Sequence, residues 1–333
     1  MSSTTTGGGG IVVSGMRPTG NLHLGHLLGT LNNWVGLQEK FDCYFFIADL
    51  HVLTTDYEEP KSIAEFSLEM VMDWLAAGVD PERCVLFRQS DIHEHAELAL
   101  VLGMLTPVGW LERNPTFKEQ KQQMKGRDLS TFGFLGYPVL QAADILLYKG
   151  ARVPVGEDQV PHVELTRDIA RRFNNFYGEI LPEPEALLSP APRVPGTDGR
   201  KMSKSYGNAI ALDEEPESIE KRLGRMTTDP RRARRTDPGD PKDCPAFRLH
   251  QIYCTPEEIE TVTEGCKTAG MGCLDCKKIM IKHVVAELEP IRERRAELAA
   301  KPGEVRDIIA AGTERARAIA RETMREVREA VGF

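Results

Sequence analysis

The sequence predicts an α/β protein, a parallel sheet built from βα units followed by an all-α segment. From residue 11 onward short apolar runs alternate with longer periodic ones, the pattern left by repeated βα units. After Leu212 the strand signal disappears, and the remainder is rich in Glu, Arg, Lys and Ala at helical spacing. The length of 333 residues, set against roughly 150 residues per domain, agrees with two domains rather than one.

Residues 1–10 are Ser, Thr and Gly with no basic segment or apolar core, so they read as a flexible lead and not as a secretory signal. Ile11–Ser14, Cys43–Ala48 and Val85–Arg88 read as buried strands. Leu22–Trp34 and Lys61–Ala77 read as helices between them, the second with Pro60 near its start and Gly78 just past its end. Val139–Tyr148 and Val160–Phe173 continue the helical pattern, with a short run at Arg152–Val155 between them. Pro and Gly cluster from Pro182 to Gly199 and mark a long irregular segment. The expected division is an α/β unit over 11–212 and a helical unit over 213–333. No internal repeat is visible.

Apolar residues make up 41% and charged residues 28%, which excludes disordered, collagen-like and membrane classes. The longest apolar stretches, such as Leu98–Met104, fall short of the roughly 20 residues that cross a bilayer, so a soluble, cytoplasmic protein without membrane contact is expected. With 42 basic and 50 acidic residues the net charge is −8, and any polyanion must be met by a local patch. Arg222, Arg225, Arg231, Arg232, Arg234 and Arg235 could form one; read alone, they are better taken as a solvated charged face. Seven cysteines are too few for a disulfide scaffold, and their odd number argues against exhaustive pairing.

Directly after the first strand comes Ser14-Gly15-Met16-Arg17-Pro18-Thr19-Gly20-Asn21-Leu22-His23-Leu24-Gly25-His26. Glycines let a backbone approach a ligand closely, and the following helix offers free N–H groups and a positive dipole end to an anion. His23 and His26 fall on one helical face, with Gly25 leaving room for a flat ring. An isolated H-x-G-H would as often be two histidines capping a helix. Far downstream stands Lys201-Met202-Ser203-Lys204-Ser205, where two lysines on a mobile loop suit the neutralisation of a departing pyrophosphate.

Together these strings resemble the two signatures of the class I aminoacyl-tRNA synthetases, which implies a Rossmann-type catalytic domain over 11–212 and a C-terminal all-α, tRNA anticodon-binding domain over 213–333. Tyr137 to Tyr148, Val155 to Gln159 and His162 to Asp168 narrow the resemblance to the tryptophanyl-tRNA synthetase family, over essentially the whole chain beyond the lead. The resemblance implies activation of L-tryptophan by ATP with Mg²⁺ and its transfer to tRNA(Trp) by a homodimer. It assigns the indole-reading carboxylate to Asp144, with Tyr137, Gln141, Gln159, Asp49 and His51 as further pocket candidates; Gln141 departs from the methionine of many relatives. For His51 a structural histidine is as good a reading. An indole offers only a donor, and a buried acceptor left unpaired by the wrong side chain costs roughly 1–3 kcal/mol. The resemblance further assigns adenine and ribose contacts to Gly25, His26, Gly156, Glu157 and Asp158, with Val194 beside the base. Arg17, Pro18 and Thr19 take the phosphate side, His23 and His26 donate to phosphate oxygens, and Lys201 to Ser205 close over pyrophosphate, with Lys201 and Lys204 as the catalytic charges. No dedicated carboxylate cage for Mg²⁺ is visible.

Cys266-x6-Cys273-x2-Cys276 has ligand-like spacing, and either Cys244 or Cys254 could complete it. A subset of the family carries a similar pattern that binds a [4Fe-4S] cluster, with Cys244 in the fourth place to within one residue. Four thiolates would suit zinc as well, and free reduced thiols are the bland alternative. A tyrosine-specific relative, a shorter nucleotidyltransferase sharing the H-x-G-H helix, and a tRNA-binding paralogue with a dead active site are the competing readings.

Overall fold

A computed structural model describes residues 10–58, 62–114, 130–188 and 193–333. The lead over 1–9 and the Pro60 and Lys61 helix start lie outside the described residues.

Five parallel strands form one sheet: β1 (Ile11–Met16), β2 (Asp42–Ile47), β3 (Cys84–Arg88), β4 (Arg152–Val155) and β5 (Glu185–Leu188), in the order β3-β2-β1-β4-β5. The chain builds outward from β1 in one direction through β2 and β3, then in the other through β4 and β5. The order therefore reverses between β1 and β4, and a crevice opens there beyond the carboxyl ends of the strands.

Alternation along the central strands sends neighbouring residues to opposite faces. Val12, Phe45 and Ile47 join one buried cluster with Trp34 and Trp74, while Val13, Tyr44, Phe46 and Phe87 join another with Tyr148. Trp34 lies flat on Phe45, with ring centroids 4.1 Å apart. Both faces are covered, which is why the strands read as nearly continuous apolar runs.

The helices that matter to the site follow in order. Leu24–His26, a π-helical turn at Leu27–Leu31 and Asn32–Leu37 run on as one helical stretch, α1. Then come α2 (Asp49–Val52), α3 (Ile63–Ala76), α4 (Glu94–Leu105), α5 (Val108–Arg113), α6 (Phe132–Leu146) and α7 (Val160–Tyr177). α6 begins at Phe132, well before the expected Val139, because Thr131 caps it by accepting from the Phe134 N–H at 3.2 Å and the helix tolerates Pro138 inside it. β5 lies inside the segment read as irregular; it is a short edge strand beside prolines, a sheet position that tolerates them.

Beyond Leu212 the described residues hold helices: α8 (Pro216–Gly224), α9 (Pro245–Tyr253), α10 (Pro256–Lys267), α11 (Cys273–Ala299) and α12 (Pro302–Val331). Four of the five start on a proline, whose fixed φ and missing N–H suit the first helical position. α12 carries Val305, Ile309, Gly312, Ala316, Ala320, Met324 and Val327 on one stripe and returns to the sheet, lying along β3. The two parts are also joined by charge. Asp73 on α3, only 2% exposed, accepts from Arg295 Nε of α11 at 2.6 Å and from the Leu22 N–H at 3.2 Å.

At Gly312 the helix meets the sheet without side-chain clearance: a Cβ there would stand 1.9 Å from the Leu86 carbonyl oxygen. Gly312→Ala should destabilise the fold by about 1–3 kcal/mol, whereas Gly303→Ala, with open space around it, should be neutral or slightly stabilising. Urea unfolding of the two variants side by side measures this, and equal midpoints would contradict the close approach.

Candidate active site

The turn after β1 and the Lys201–Ser205 string are far apart in sequence and meet in space. Leu24 N–H donates to the Ile210 carbonyl at 3.0 Å and Leu212 N–H to the Leu22 carbonyl at 3.1 Å, fastening the two segments together. Lys204 Nζ donates to the carbonyls of Thr19 and Gly20 at 3.0 and 2.9 Å. Gly20 has φ +103°, a conformation that favours glycine and turns its carbonyl toward the ammonium.

The loop expected to be mobile is docked in this structure. Met202 is buried and its N–H donates to the Val194 carbonyl at 3.0 Å, while Asn208 Oδ1 accepts from the Ser203 N–H at 2.8 Å. Val194 and Met202 both join the buried cluster that holds Trp34 and Trp74. Arg200 stacks over Tyr206 and pairs with Asp198, keeping that guanidinium outside the site.

The rings of His23 and His26 lie against each other at a tilt of 44°, with centroids 3.9 Å apart. His23 Nδ1 accepts from the Gly25 N–H at 3.1 Å, and His26 Nδ1 from the His23 N–H at 3.2 Å. A backbone N–H can only donate, so both neutral rings carry their proton on Nε2 and offer it outward. Gly25 is needed here: a Cβ would lie 2.9 Å from the His23 ring, so the flat ring against the backbone is His23 itself. Burial, then the lysine charges, hold His23 down at about 4. Burial, then His23 and the lysines, hold His26 at about 3.

A cavity of about 390 Å³ opens at the β1/β4 crevice, between Gly15, Arg17, His51, Tyr137, Asp144 and Gly156 among others. Its wall also includes the expected Gln141, Gln159 and His26. Asp144 is 1% exposed and saturated on most sides. His51 Nε2 is 2.8 Å from Oδ2, while Gln89 Nε2 and His95 Nδ1 each lie 2.7 Å from Oδ1. An ionised carboxylate has about four acceptor positions, so about one remains. Burial pushes the carboxyl up, but the hydrogen bonds from His51 and His95 overcome it and hold it at about 2. Since His95 gives its Nδ1 proton to the carboxylate, its Nε2 accepts from Tyr148 Oη at 2.6 Å. Gln89, His95 and His162 carry no motif that marks them as part of the site. His162 was visible only as a residue of the α7 string; its Nε2 is 3.2 Å from Tyr137 Oη.

Several expected residues stand elsewhere. Asp49 does not line this cavity: its carboxylate accepts from the Ser90 N–H at 3.0 Å and from the Ser90 hydroxyl, and so ties α2 to the end of β3. Pro18, Thr19, His23, Gly25, Glu157, Asp158, Val194 and the whole Lys201–Ser205 string do not line this cavity either. Of the six arginines, Arg222 is bound to Glu214, Arg231 to Asp229 and Asp243, and Arg232 to backbone carbonyls including Met271 at 2.9 Å. Arg234 and Arg235, with Lys278 and Lys282, line a cleft of about 1170 Å³ beside Cys273.

Cys244, Cys266, Cys273 and Cys276 come together from the start of α9, the end of α10 and the start of α11. Burial, then the neighbouring thiols Cys244, Cys273 and Cys266, push Cys276 up to about 12. Cys254 stands apart, across the buried His250, whose Nδ1 is 3.2 Å from Cys254 Sγ and whose Nε2 is 3.3 Å from Cys276 Sγ.

The two depressed histidines fix the sign of a pH effect. Their stabilising contribution is full above about 6.5 and is lost as pH falls through about 4 and 3. Asp73, raised to about 6 by burial despite Arg295, runs the other way. Melting temperatures of the parent and His26→Asn from pH 7 to 4 isolate the histidine share: the variant should lose less on acidification, and parallel curves would contradict the assignment.

Comparison with known proteins agrees with this geometry. The family model for class I tRNA synthetases (W and Y) matches residues 7–289. The tryptophan-tRNA ligase of Thermotoga maritima is 54% identical over 324 residues, spanning 97% of this chain and 99% of that protein. That of Ralstonia nicotianae is 48% identical, spanning 97% of this chain and 98% of its own. Among solved structures, the Campylobacter jejuni tryptophanyl-tRNA synthetase complexed with ADP and tryptophan superposes with a TM-score of 0.87 at 34% identity, covering 97% of this chain and all of that one. With a family match over most of its length, an ordered sheet of the Rossmann type and both signature strings joined in one site, the chain belongs to the class I tRNA synthetases that handle tryptophan and tyrosine.

Proposed function

We infer that the cavity receives the tryptophan side chain and that Asp144 accepts its indole N–H. The observation that carries this reading is the buried, ionised carboxylate with about one acceptor position left over, in a wall shared with His51, Gln141 and Tyr137. The chain is a tryptophan-tRNA ligase: it joins tryptophan to ATP as tryptophanyl-adenylate and passes the acyl group to tRNA. Phenylalanine leaves the carboxylate unpaired, and tyrosine must be turned away by the shape of the cavity.

For the first step the enzyme needs no covalent nucleophile. The tryptophan carboxylate attacks the α-phosphorus, pyrophosphate leaves, and catalysis is alignment of two anions plus stabilisation of the transferring phosphoryl group. Mg²⁺ bound to ATP would supply part of the charge neutralisation at the phosphates. His23 and His26 present Nε2–H donors to phosphate oxygens without carrying charge, and Arg17, whose guanidinium is held by Thr55 and Asp56 at 2.5 and 3.1 Å, takes the phosphate side with Pro18 and Thr19 once ATP competes for it. Gly25, Gly156, Glu157, Asp158, Val194 and Met202 flank the adenosine. Lys201 and Lys204, with Ser203 and Ser205, cover the pyrophosphate. In this structure Lys204 is held by two backbone carbonyls, partners that a phosphate oxygen outcompetes as an anion.

The four thiols Cys244, Cys266, Cys273 and Cys276 fit a [4Fe-4S] cluster in donor chemistry: all sulfur, mutually close, at the positive end of α11 and beside Arg232. When bound, the cluster supplies iron–thiolate bonds that tie together the ends of α9, α10 and α11. The adjacent cleft with Arg234, Arg235, Lys278 and Lys282 suits an RNA backbone, which supports a catalytic part over 11–212 and a tRNA-binding part over 213–333. Exposed Leu100, Met104, Val108 and Phe132, on helices α4 to α6, support a homodimer; sedimentation as a monomer would remove that element.

Amino-acid-dependent pyrophosphate exchange tests the reading. Tryptophan should drive exchange, with phenylalanine disfavoured on the order of 10⁴-fold and tyrosine strongly reduced; equal rates with tyrosine would overturn it. Lys204→Ala should lower the exchange rate far more than it weakens tryptophan binding, and equal losses would remove the lysine from the transition state. Protein purified without oxygen should be brown, with about four iron and four sulfide per chain; a colourless protein with one zinc would replace the cluster by that ion.

A further inference from the structure

We propose a second metal site, for a borderline divalent cation such as Zn²⁺, formed by Cys254, Glu258 and His283 where α9, α10 and α11 meet. Their ligand atoms lie within 4.8 Å of one another. Cys254 caps the C-terminal end of α9, Glu258 stands in the first turn of α10, and His283 is in α11. Three helices therefore each bring one donor of a different kind: a thiol, a carboxylate and an imidazole.

The distances suit an ion. His283 Nε2 is 2.8 Å from Glu258 Oε2. A tetrahedral ion with bonds near 2.0–2.1 Å to nitrogen and oxygen would hold that pair about 3.3 Å apart, and a thiolate at 2.3 Å would lie about 3.6 Å from each. Opening the ion pair by about half an ångström, and closing the sulfur by no more than about 1.2 Å from its limit of 4.8 Å, completes the set. The donors are already aimed from behind: Glu258 Oε2 accepts from the Thr255 N–H at 3.0 Å, and Cys254 is backed by His250. The His283 and Glu258 side chains are 30% and 33% exposed, which leaves an open face for entry and for a water as fourth ligand.

Donor type selects the metal class. One sulfur, one nitrogen and one oxygen favour Zn²⁺ over Mg²⁺ or Ca²⁺, which require several oxygens. Binding displaces the thiol proton of Cys254, which leaves to solvent, and frees His283 Nε2 of the proton it gives to Glu258, which moves to Nδ1 or, from the charged ring, leaves to solvent as well. The site is distinct from the four-thiol group, since His250 stands between Cys254 and Cys276. Without an ion, the Glu258–His283 pair and the Thr255–Glu258 capping box already satisfy these side chains, so the junction folds either way and the ion adds a clip across it.

The full chain, stripped with EDTA, is titrated with Zn²⁺ against a chromophoric chelator and separately with Co²⁺. The four-thiol group is the same in parent and variants, so the difference between them reports this site alone. Cys254→Ser and His283→Gln should each lose one zinc equivalent, or weaken it roughly 10–100-fold or more, and Cys254→Ser should show weaker cobalt–thiolate absorption than the parent, by the share of one thiolate, while the four-thiol group keeps its own. Equal zinc uptake and unchanged cobalt spectra in both variants overturn the site. Circular dichroism checks folding, and if Cys254→Ser does not fold, His283→Gln decides alone.

Discussion

The carboxylate of Asp73 is the constraint around which the two parts of the molecule are organised. A charge with 2% exposure must be paired where it stands, because desolvating it alone costs several kcal/mol. Its partners come from two places: Arg295 on α11 and the backbone of Leu22, the residue before the first signature histidine. Leu22 in turn accepts from Leu212, which follows the second signature string. A single buried ion pair thus links the helical part, the phosphate-facing turn and the lysine loop, and any shift of α11 is felt two bonds away from His23.

Charge is used in opposite senses on the two sides of the site. At the joined signature strings the histidines are kept neutral by burial and by lysines nearby, so they offer directed N–H dipoles while the lysines carry the positive charge. In the cavity Asp144 is kept negative by His51 and His95 against its burial. Each group is held in the protonation state that its partner chemistry needs before substrate arrives, which is the economy of a preorganised site.

Much of this was legible in the sequence. The strands of the central sheet are apolar on both faces and announce themselves, and the two signature strings, Asp144 in its apolar run and the grouped cysteines all have local marks. What escaped has physical reasons. β5 is four residues long and flanked by prolines, so neither periodicity nor composition marks it. Gln89 and His95 act only through tertiary contact with Asp144, and nothing in their own neighbourhoods distinguishes them from other polar residues near helix starts. Asp49, beside His51 in sequence, points to Ser90 because the short helix between them rotates successive side chains apart. Cys244 and Cys254 were indistinguishable by spacing; His250, standing between Cys254 and Cys276, separates them.

The seam at Gly312 bears on how the chain comes off the ribosome. β3 is covered by a helix that is made some 225 residues later, and synthesis at roughly 5–20 residues per second delays that cover by tens of seconds. During this interval β3 lacks the part of its cover that α12 supplies, so the nascent nucleotide-binding part is a natural client for chaperones, and a ribosome stalled before α12 would release an aggregation-prone product rather than a working half-enzyme.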